Sequence, residues 1–302
     1  MISLKQIHYA LAIERQRHFR RAAEECNISQ SALSTGLSEL EKQLGFQIFE
    51  RDNRKVLVTP LGRLVLERAR SIELEMEDLK KLADSQRQPL STPMSLGVIP
   101  TIGPYLLPRV LPQLQDQYPK LQLDILEDQS AEILDLLRRG ALDAAVIALP
   151  FDCAGLLTFP FWQEELMWIV HADDQSAGIR SATVDDLART HLMLLKDGHC
   201  LTEHALAACK LLDVATHSFG ATSLSTLIQL VAGKIGSTLV PEIALEQLVD
   251  GNAQLASVPL QEPGPHRQLA IAVRPNYPGV VNVEALVQLF KEELKKTATS
   301  RS

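Results

Sequence analysis

The chain has 302 residues, enough for two or three domains, and its hydrophobic content of 46% is ordinary for a globular protein. No apolar run approaches the roughly 18 residues of a membrane-spanning helix. The first residues lack the apolar core of a signal peptide. We therefore expect a cytoplasmic protein without a membrane partner.

The net charge of −7 is unevenly distributed. Residues 1–87 carry 15 Lys and Arg against 13 Asp and Glu, whereas the remainder carries 15 against 24. A mildly basic N-terminal part is compatible with nucleic-acid binding, although the charge alone is a weak signal. Four cysteines are too few for a disulfide scaffold, and no CxxC or HxxxH pair indicates a metal site. We expect neither a metal nor a cofactor.

The N-terminal residues predict helices over 4–17, 20–26 and 30–44. Ser29 is the predicted N-cap of the third helix, and Gly45 is its C-terminal stop. Two short helices joined by a tight turn are typical of a helix-turn-helix.

The third helix presents short polar side chains that suit hydrogen bonding to base edges and phosphates. These candidate DNA-binding residues are Ser29, Gln30, Ser31, Ser34, Thr35 and Ser38. An ordinary solvated, serine-rich helix is the alternative interpretation. The alternating segment that follows predicts a hairpin wing, in which Arg51, Arg54 and Lys55 are candidate phosphate contacts.

A long helix is predicted over residues 61–87, with apolar residues spaced nearly as in a heptad seam. The seam consists of Leu61, Val65, Ala69, Ile72, Met76, Leu79 and Ala83. A long helix with a narrow seam and no core of its own needs a partner, so we expect a dimer. A polar, proline-containing hinge follows at residues 85–93.

Beyond residue 93 the pattern changes to strands that alternate with helices, which favours a parallel α/β sheet in each of two units. Strands are predicted at 94–99, 120–126, 143–148, 166–170, 191–195, 236–240 and 269–273. Helices are predicted at 104–117, 130–139, 201–210, 223–233, 241–249 and 280–295, with a short one that begins at residue 184.

The second unit contains a His199-Cys200 pair behind an Asp197-Gly198 turn, which is a usual way to expose and activate a thiol. If residues 201–210 are helical, a rise of about 1.5 Å per residue separates Cys200 from Cys209 by roughly 13 Å. A disulfide needs Cα atoms about 4.4–6.8 Å apart. The two cysteines can then join only if the helix unfolds.

The N-terminal residues resemble the LysR-type transcriptional regulators over about forty positions. The matching positions are Ala22, Ala23, residues 29–34, Leu40, Glu41, Leu44, Gly45, Ile48, Phe49, Arg51, Val56, Thr59, Pro60 and Gly62. The resemblance implies a pseudo-palindromic double-stranded DNA site, a dimer or tetramer, and RNA polymerase as a partner. Cys26 stands where the pattern usually has an aliphatic residue, and we interpret it as structural.

The remainder of the chain resembles the peroxide-sensing OxyR branch of that family. The resemblance rests on residues 99–108, 196–201, 221–224 and 273–275, together with Cys209. It implies that Cys200 is oxidised by hydrogen peroxide and that Cys209 resolves the sulfenic acid as a disulfide. The implied peroxide site contains Thr101, Ser130, His199, Glu203 and Arg274, and His199 or Arg274 is expected to lower the thiol pKa.

Several implied residues depart from the branch or have a simpler interpretation. Ser130 replaces a threonine, and Glu203 replaces an aspartate. Cys200 and Cys209 are alternatively buried core thiols, His199 a turn residue and Thr101 an ordinary strand-end hydroxyl. Cys153 is predicted to be incidental.

We therefore predict an α/β protein with an N-terminal winged helix-turn-helix, a long linker helix and a C-terminal two-lobed domain like the periplasmic binding proteins. The predicted domains are 1–60 (DNA binding), 61–88 (dimerisation) and 89–302 (regulation), with lobe I at 93–164 and 269–300 and lobe II at 165–268. The predicted function is a peroxide-switched transcription factor and not an enzyme. The alternatives are a LysR regulator that binds a metabolite between the lobes, and a thiol peroxidase or Cys-His hydrolase.

Overall fold

The computed structural model describes all residues except 53–54, 86–88, 197, 209–220, 222, 263 and 302. The chain forms two compact units, Met1–Ala83 and Asp84–Ser302. Each has its own hydrophobic core.

The N-terminal unit begins with α1 (Leu4–Gln16), α2 (Phe19–Glu25) and α3 (Gln30–Leu44). Ser29 caps α3 by accepting a hydrogen bond from the Ala32 amide, and Gly45 ends it in the left-handed region at φ +80°. The predicted third helix is therefore confirmed at both ends.

The wing consists of β1 (Phe49–Asp52) and β2 (Lys55–Val58), which pair antiparallel. Glu41 of α3 fixes the start of this hairpin, since its Oε1 atom accepts the amide hydrogens of Ile48 at 2.8 Å and Phe49 at 3.2 Å. Glu41 is buried, so these two amides have no access to bulk water as a substitute acceptor.

The linker helix α4 (Pro60–Ser85) divides its apolar residues between two surfaces. Leu66 and Ala69 are buried in the core of the N-terminal unit. Its exposed large apolar residues are Leu61, Leu64, Ile72, Met76, Leu79 and Leu82. The predicted seam is thus only partly exposed, because Ala69 packs inside the unit. The exposed apolar surface also includes Leu64 and Leu82, which are not part of the predicted seam.

The C-terminal unit alternates strands and helices along the chain. Its strands are β3 Met94–Val98, β4 Leu123–Glu127, β5 Ala144–Leu149, β6 Leu157–Glu164, β7 Leu166–His171, β8 Leu192–Met193, β9 Ser237–Pro241, β10 Leu255–Pro259 and β11 Arg267–Val273. Its helices are α5 Gly103–Gln117, α6 Ser130–Arg138, α7 Val184–Ala188, α8 Cys200–Ala208, α9 Leu224–Ala232, α10 Leu245–Leu248 and α11 Val280–Arg301.

The strands form two sheets, in the orders β4-β3-β5-β11-β6 and β10-β7-β9-β8. The prediction of parallel sheets is correct for only part of each sheet. In the first sheet β3 is parallel to β4 and β5, but β11 runs antiparallel to β5 and β6. In the second sheet only β8 and β9 pair in parallel. The antiparallel strands β6, β7, β10 and β11 carry the chain from one sheet to the other and back.

The sequence interpretation also missed β6 and β10. Both are edge strands, and each contains a proline, which cannot donate to a sheet ladder. The register against β11 shifts between Leu269 and Ala270, opposite Pro160. Because a proline argues against a strand, the sequence does not predict these two edge strands.

We predict that Glu41→Ala destabilises the N-terminal unit by about 2–4 kcal/mol, because it leaves two buried amide donors without an acceptor. Both tryptophans, Trp162 and Trp168, lie in the C-terminal unit. In urea unfolding, the transition followed by tryptophan fluorescence should therefore keep its midpoint. The transition followed by far-UV circular dichroism, which also reports the helices of the N-terminal unit, should move to a lower urea concentration. Gln43→Ala, at an exposed neighbour on α3, is the control. A shift of the fluorescence transition as large as that of the dichroism would contradict the assignment.

Candidate functional site

Cys200 is the first residue of α8, and its free thiol is almost fully buried, with 3% of the residue exposed. The loop before it turns at Gly198, whose φ of +98° favours glycine. A Cβ at this position would also lie 2.4 Å from the Oε1 atom of Gln129, the residue that precedes α6. The positive φ angle is therefore the main reason for glycine here, and the missing side chain also leaves room for the Gln129 amide.

Arg267, the first residue of β11, organises the polar groups near the thiol. Its Nη1 atom donates to the hydroxyl of Thr101 at 3.1 Å, and its Nη2 atom donates to the Thr101 carbonyl at 3.2 Å. Its Nε atom pairs with Oε1 of Glu164 at 2.5 Å, and neither of these two side chains is exposed. The second carboxylate oxygen of Glu164 accepts the Ile243 amide at 3.0 Å. The guanidinium is thus fixed from both sides.

The pKa of the Cys200 thiol is raised above its ordinary value, chiefly because burial disfavours the thiolate. Ser130, the positive charge of Arg267 and the thiol's own backbone amide act in the opposite direction. The negative charge of the exposed Glu203, one turn along α8, raises the pKa further. Since only the thiolate is nucleophilic, this closed arrangement keeps most of the sulfur protonated at neutral pH.

Ser130, the first residue of α6, interacts with the thiol without a well-formed hydrogen bond. Its hydroxyl lowers the thiol pKa, yet the buried Oγ atom has no partner of acceptable geometry among the described residues. This hydroxyl is therefore available to another molecule. The predicted site residues Thr101 and Ser130, each 2% exposed, are therefore brought to the same place as Cys200.

His199 is buried beside Cys200 in the chain, but it is not among the groups that shift the thiol pKa. Burial, and to a lesser extent the charge of Lys196, lower the pKa of His199, so its imidazole is neutral near pH 7. A neutral ring offers no charge to stabilise a thiolate. The prediction that His199 lowers the thiol pKa is not supported, and its part in binding peroxide remains a prediction.

Arg274 lies far from the position that the sequence interpretation gave it. It donates to the carbonyl of Leu142 at 2.9 Å, and its guanidinium lies 5.9 Å from the centre of the Tyr277 ring. Arg267 and Arg274 stand at opposite ends of β11, roughly 23 Å apart at about 3.3 Å per strand residue. The cation that lowers the thiol pKa is therefore Arg267 and not Arg274.

Sequence reasoning missed three residues of this cluster: Glu164, His204 and Arg267. The sequence does show that Arg267 begins an apolar strand. It does not show that Arg267 forms an ion pair with Glu164, which lies 103 residues earlier in the chain. The histidine follows Cys200 by four residues, a spacing that places both on one face of a helix.

The second predicted cysteine, Cys209, lies outside the described residues. Cys26 and Cys153 are free and partly buried, and burial raises the pKa of each thiol. Neither is activated by its surroundings, in agreement with the structural interpretation of Cys26 and the incidental one of Cys153.

The predicted DNA-binding surface is largely exposed on α3. Gln30, Ser31, Thr35 and Ser38 are exposed and Ser34 is half-buried, while Ser29 also bonds the Ser31 hydroxyl at 3.0 Å. Arg54 lies outside the described residues. Arg51 and Lys55 are described in their backbone strands only.

An apolar cavity of about 390 Å³ opens in the N-terminal unit along α1, the end of α3 and the start of α4. Its lining residues are Ile2, Ile7, Ala10, Leu40, Leu44, Phe46, Leu61, Leu64, Val65, Arg68, Ala69 and Ile72. The exposed apolar residues at the start of α4 therefore border a concave surface.

Among the described residues, no group of three or more His, Cys, Asp or Glu side chains is arranged to hold a metal ion. Within the same part of the chain, no helix combines the length and the apolar character needed to cross a membrane.

Two protein families match the chain: the bacterial regulatory helix-turn-helix protein, lysR family, over residues 4–63, and the LysR substrate binding domain over residues 87–295. The hydrogen peroxide-inducible genes activator of Dickeya chrysanthemi is 36% identical over 97% of this chain and 96% of its own length. The HTH-type transcriptional regulator EstR of Acinetobacter baylyi is 37% identical over 96% of both chains.

Among solved structures, a Cys-to-Ser mutant of Corynebacterium glutamicum OxyR with hydrogen peroxide bound is 32% identical. The likeness covers 98% of this chain and 94% of that one, with a TM-score of 0.68. With both family domains matched in order and relatives aligned over nearly the whole length, the chain belongs to the LysR family of bacterial transcriptional regulators.

Proposed function

We propose that this protein is a DNA-binding transcriptional regulator that hydrogen peroxide switches through Cys200 and Cys209. The thiolate of Cys200 attacks one peroxide oxygen, the O–O bond breaks, and sulfenic acid and hydroxide form. The Cys209 thiol then displaces the sulfenic oxygen as water, which leaves a disulfide. Two electrons pass from the thiols to peroxide, and a cellular thiol reductant reverses the step.

The observation that carries this proposal is the set of polar groups around a buried, free thiol. Arg267 lowers the thiol pKa and holds Thr101, while the Ser130 hydroxyl has no hydrogen-bond partner within the described residues. Hydroxyl donors and a nearby cation suit the leaving hydroxide, because both stabilise developing negative charge. A thiol that is only 3% exposed also favours a very small oxidant.

A metabolite-responsive regulator is the second candidate, because EstR, whose name mentions no peroxide, is as similar as the peroxide-inducible activators. It predicts that Cys200→Ser retains the full response to an inducer. A thiol enzyme predicts sustained consumption of peroxide with a reductant, whereas we expect about one turnover for each reduction.

The oxidation chemistry can be tested on the thiols themselves. Stoichiometric peroxide should convert the parent to an internal disulfide and convert Cys209→Ser to a form that a sulfenic-acid reagent traps at Cys200, read by peptide mass spectrometry. Cys153→Ser is the matched control and should behave as the parent. If neither the parent nor Cys209→Ser is modified at Cys200, the peroxide proposal fails.

A second prediction tests the charge near the thiol through its pH dependence. Replacing Arg267 and Glu164 together, as Arg267→Gln with Glu164→Gln, removes the cation without leaving a buried carboxylate unpaired. Since the cation lowers the thiol pKa, its loss should move the rate–pH profile of Cys200 alkylation to higher pH and slow the reaction at pH 8 about tenfold.

Glu203→Gln provides a control of opposite sign for that experiment. The carboxylate raises the thiol pKa, so its removal should move the profile to lower pH and accelerate alkylation. The effect should be smaller, because Glu203 is exposed and screened by solvent. Profiles that shift in the same direction in both variants would contradict the electrostatic assignment.

We also propose that the protein divides functionally into residues 1–60 for DNA binding, 61–88 for dimerisation and 89–302 for regulation. The α3 surface is proposed to contact the major groove, and two such units on one dimer fit a pseudo-palindromic operator. Membership of the LysR family supports a further association of dimers into a tetramer, contact with RNA polymerase and a cytoplasmic location.

A second copy of α4 is the proposed occupant of the apolar surface on the first. Leu79 is 63% exposed, so its side chain contributes little to the packing of its own unit. Leu79→Glu should therefore fold normally. Because a buried carboxylate is unfavourable in an apolar interface, we predict that the dimer dissociation constant rises about 100-fold.

Sedimentation velocity over a concentration series checks this, with Glu77→Gln at an exposed polar position of α4 as the control. DNA affinity should fall in parallel for Leu79→Glu, since a monomer contacts one half-site. An unchanged sedimentation coefficient in Leu79→Glu at low concentration would exclude this face of α4 as the interface.

A further inference from the structure

His204 is a buried histidine on the same helix face as Cys200, and the oxidation chemistry above makes no use of it. It follows Cys200 by four residues in α8, so the two side chains lie one turn apart. Side chains of a helix lean toward its N-terminus, which brings His204 over the turn that starts at Cys200. Only 2% of His204 is exposed.

The hydrogen bond of His204 fixes where its ring carries hydrogen. The Nε2 atom lies 2.8 Å from the carbonyl oxygen of Pro150, and a carbonyl oxygen can only accept. Nε2 is therefore the protonated nitrogen. Burial is the main factor that lowers the pKa of His204, and the charge of Arg267 adds to it, so the ring is neutral. Its Nδ1 atom then presents a bare lone pair.

That lone pair has no hydrogen-bond partner among the described residues, although the Nδ1 atom is buried. A buried acceptor without a partner is unfavourable, and such sites usually bind a water molecule or a ligand group. Nδ1 is the ring nitrogen next to the Cγ atom, so it stays near α8 while Nε2 reaches toward Pro150. The unpartnered acceptor thus belongs to a buried side chain one helical turn from Cys200.

The charged and polar groups that face this place belong to several elements. The charge of Arg267 in β11 acts on both Cys200 and His204, so the guanidinium lies near both side chains. The Thr101 hydroxyl accepts from Arg267 and keeps its own hydrogen for another acceptor. The Ser130 hydroxyl is unpartnered among the described groups. The groups near the thiol thus include two hydroxyl donors and one acceptor without a partner among the described residues, the Nδ1 atom of His204.

We propose that the Nδ1 atom of His204 accepts a hydrogen bond from the O–H group of hydrogen peroxide and orients the oxygen that Cys200 attacks. This rests on the proposed function and adds a positioning residue to it. The thiolate forms the S–O bond to the oxygen held by His204, and the O–O bond breaks. The other oxygen leaves as hydroxide toward the Thr101 and Ser130 hydroxyls.

The test compares two reactions of Cys200 in full-length protein. Hydrogen peroxide has an O–H group for His204 to orient, whereas iodoacetamide needs the same thiolate but is not positioned by this acceptor. We expect His204→Phe, which keeps a ring of similar shape, to lower the second-order rate constant for peroxide about tenfold, an effect that one ordinary hydrogen bond can supply. The rate constant for iodoacetamide should change less than about threefold.

His204→Gln should restore most of the peroxide rate, because its amide supplies one donor for Pro150 and one acceptor. Leu206→Ala, a partly buried position of α8, controls for general loosening of the helix and should affect both reagents alike. If His204→Phe does not fold, as judged by circular dichroism, His204→Leu replaces it in the same comparison.

The positioning role of His204 would be overturned if His204→Phe lowered the rate constants for peroxide and iodoacetamide equally, or if it left the rate constant for peroxide unchanged. A parent protein in which Cys200 reacts with iodoacetamide but not with peroxide would instead overturn the proposed function. The two failures are therefore distinguishable in one set of measurements.

Discussion

A guanidinium that is wholly removed from water needs a counter-charge and acceptors for its N–H groups. Arg267 forms an ion pair with Glu164 in β6. It also donates hydrogen bonds to Thr101, in the chain segment that leads from β3 into α5. Glu164 is itself tied to the Ile243 amide beyond β9. One buried ion pair therefore holds segments from both sheets of the C-terminal unit, and the thiol chemistry depends on this fixed charge. Removal of either partner alone would leave the other buried and uncompensated.

The same burial that makes this ion pair strong opposes ionisation of the neighbouring thiol. Arg267 and Ser130 lower the pKa of Cys200, but the desolvation of the sulfur is the larger effect and the pKa remains raised. A thiol that is mostly protonated and 3% exposed reacts slowly with large or charged reagents. Such a site keeps the resting thiol reduced until a small oxidant reaches it.

The helices and most strands could be predicted from the sequence, because periodicity and caps such as Ser29 and Gly45 act locally. Edge strands that contain proline could not, nor could the antiparallel direction of β11, which follows from how the chain crosses between two sheets. For the site, the family resemblance implied Cys200, Thr101 and Ser130, which the structure places close together, but it gave the role of Arg267 to Arg274. Both arginines border the same strand, and only the tertiary structure shows which end of β11 faces the thiol.

Because α8 is helical, a disulfide at Cys200 requires a change in the backbone conformation of the protein. At about 1.5 Å per residue, the Cα atoms of Cys200 and Ala208 are roughly 12 Å apart along the helix axis. The next Cα atom in the chain lies about 3.8 Å from that of Ala208 in any conformation. A disulfide needs Cα atoms within about 6.8 Å, so an intact α8 does not allow Cys200 to pair with a cysteine that follows the last residue of the helix.

The helix must accordingly unwind before the bond can close, and unwinding acts on the contacts that α8 makes. These include the bond from Thr202 to the Leu195 carbonyl and the bond between His204 and Pro150. Both join α8 to other parts of the C-terminal unit, so a covalent change at one sulfur necessarily alters how this helix is anchored. The conversion of oxidation into a change of shape thus follows from helix geometry and chain connectivity, whatever arrangement the oxidised segment adopts.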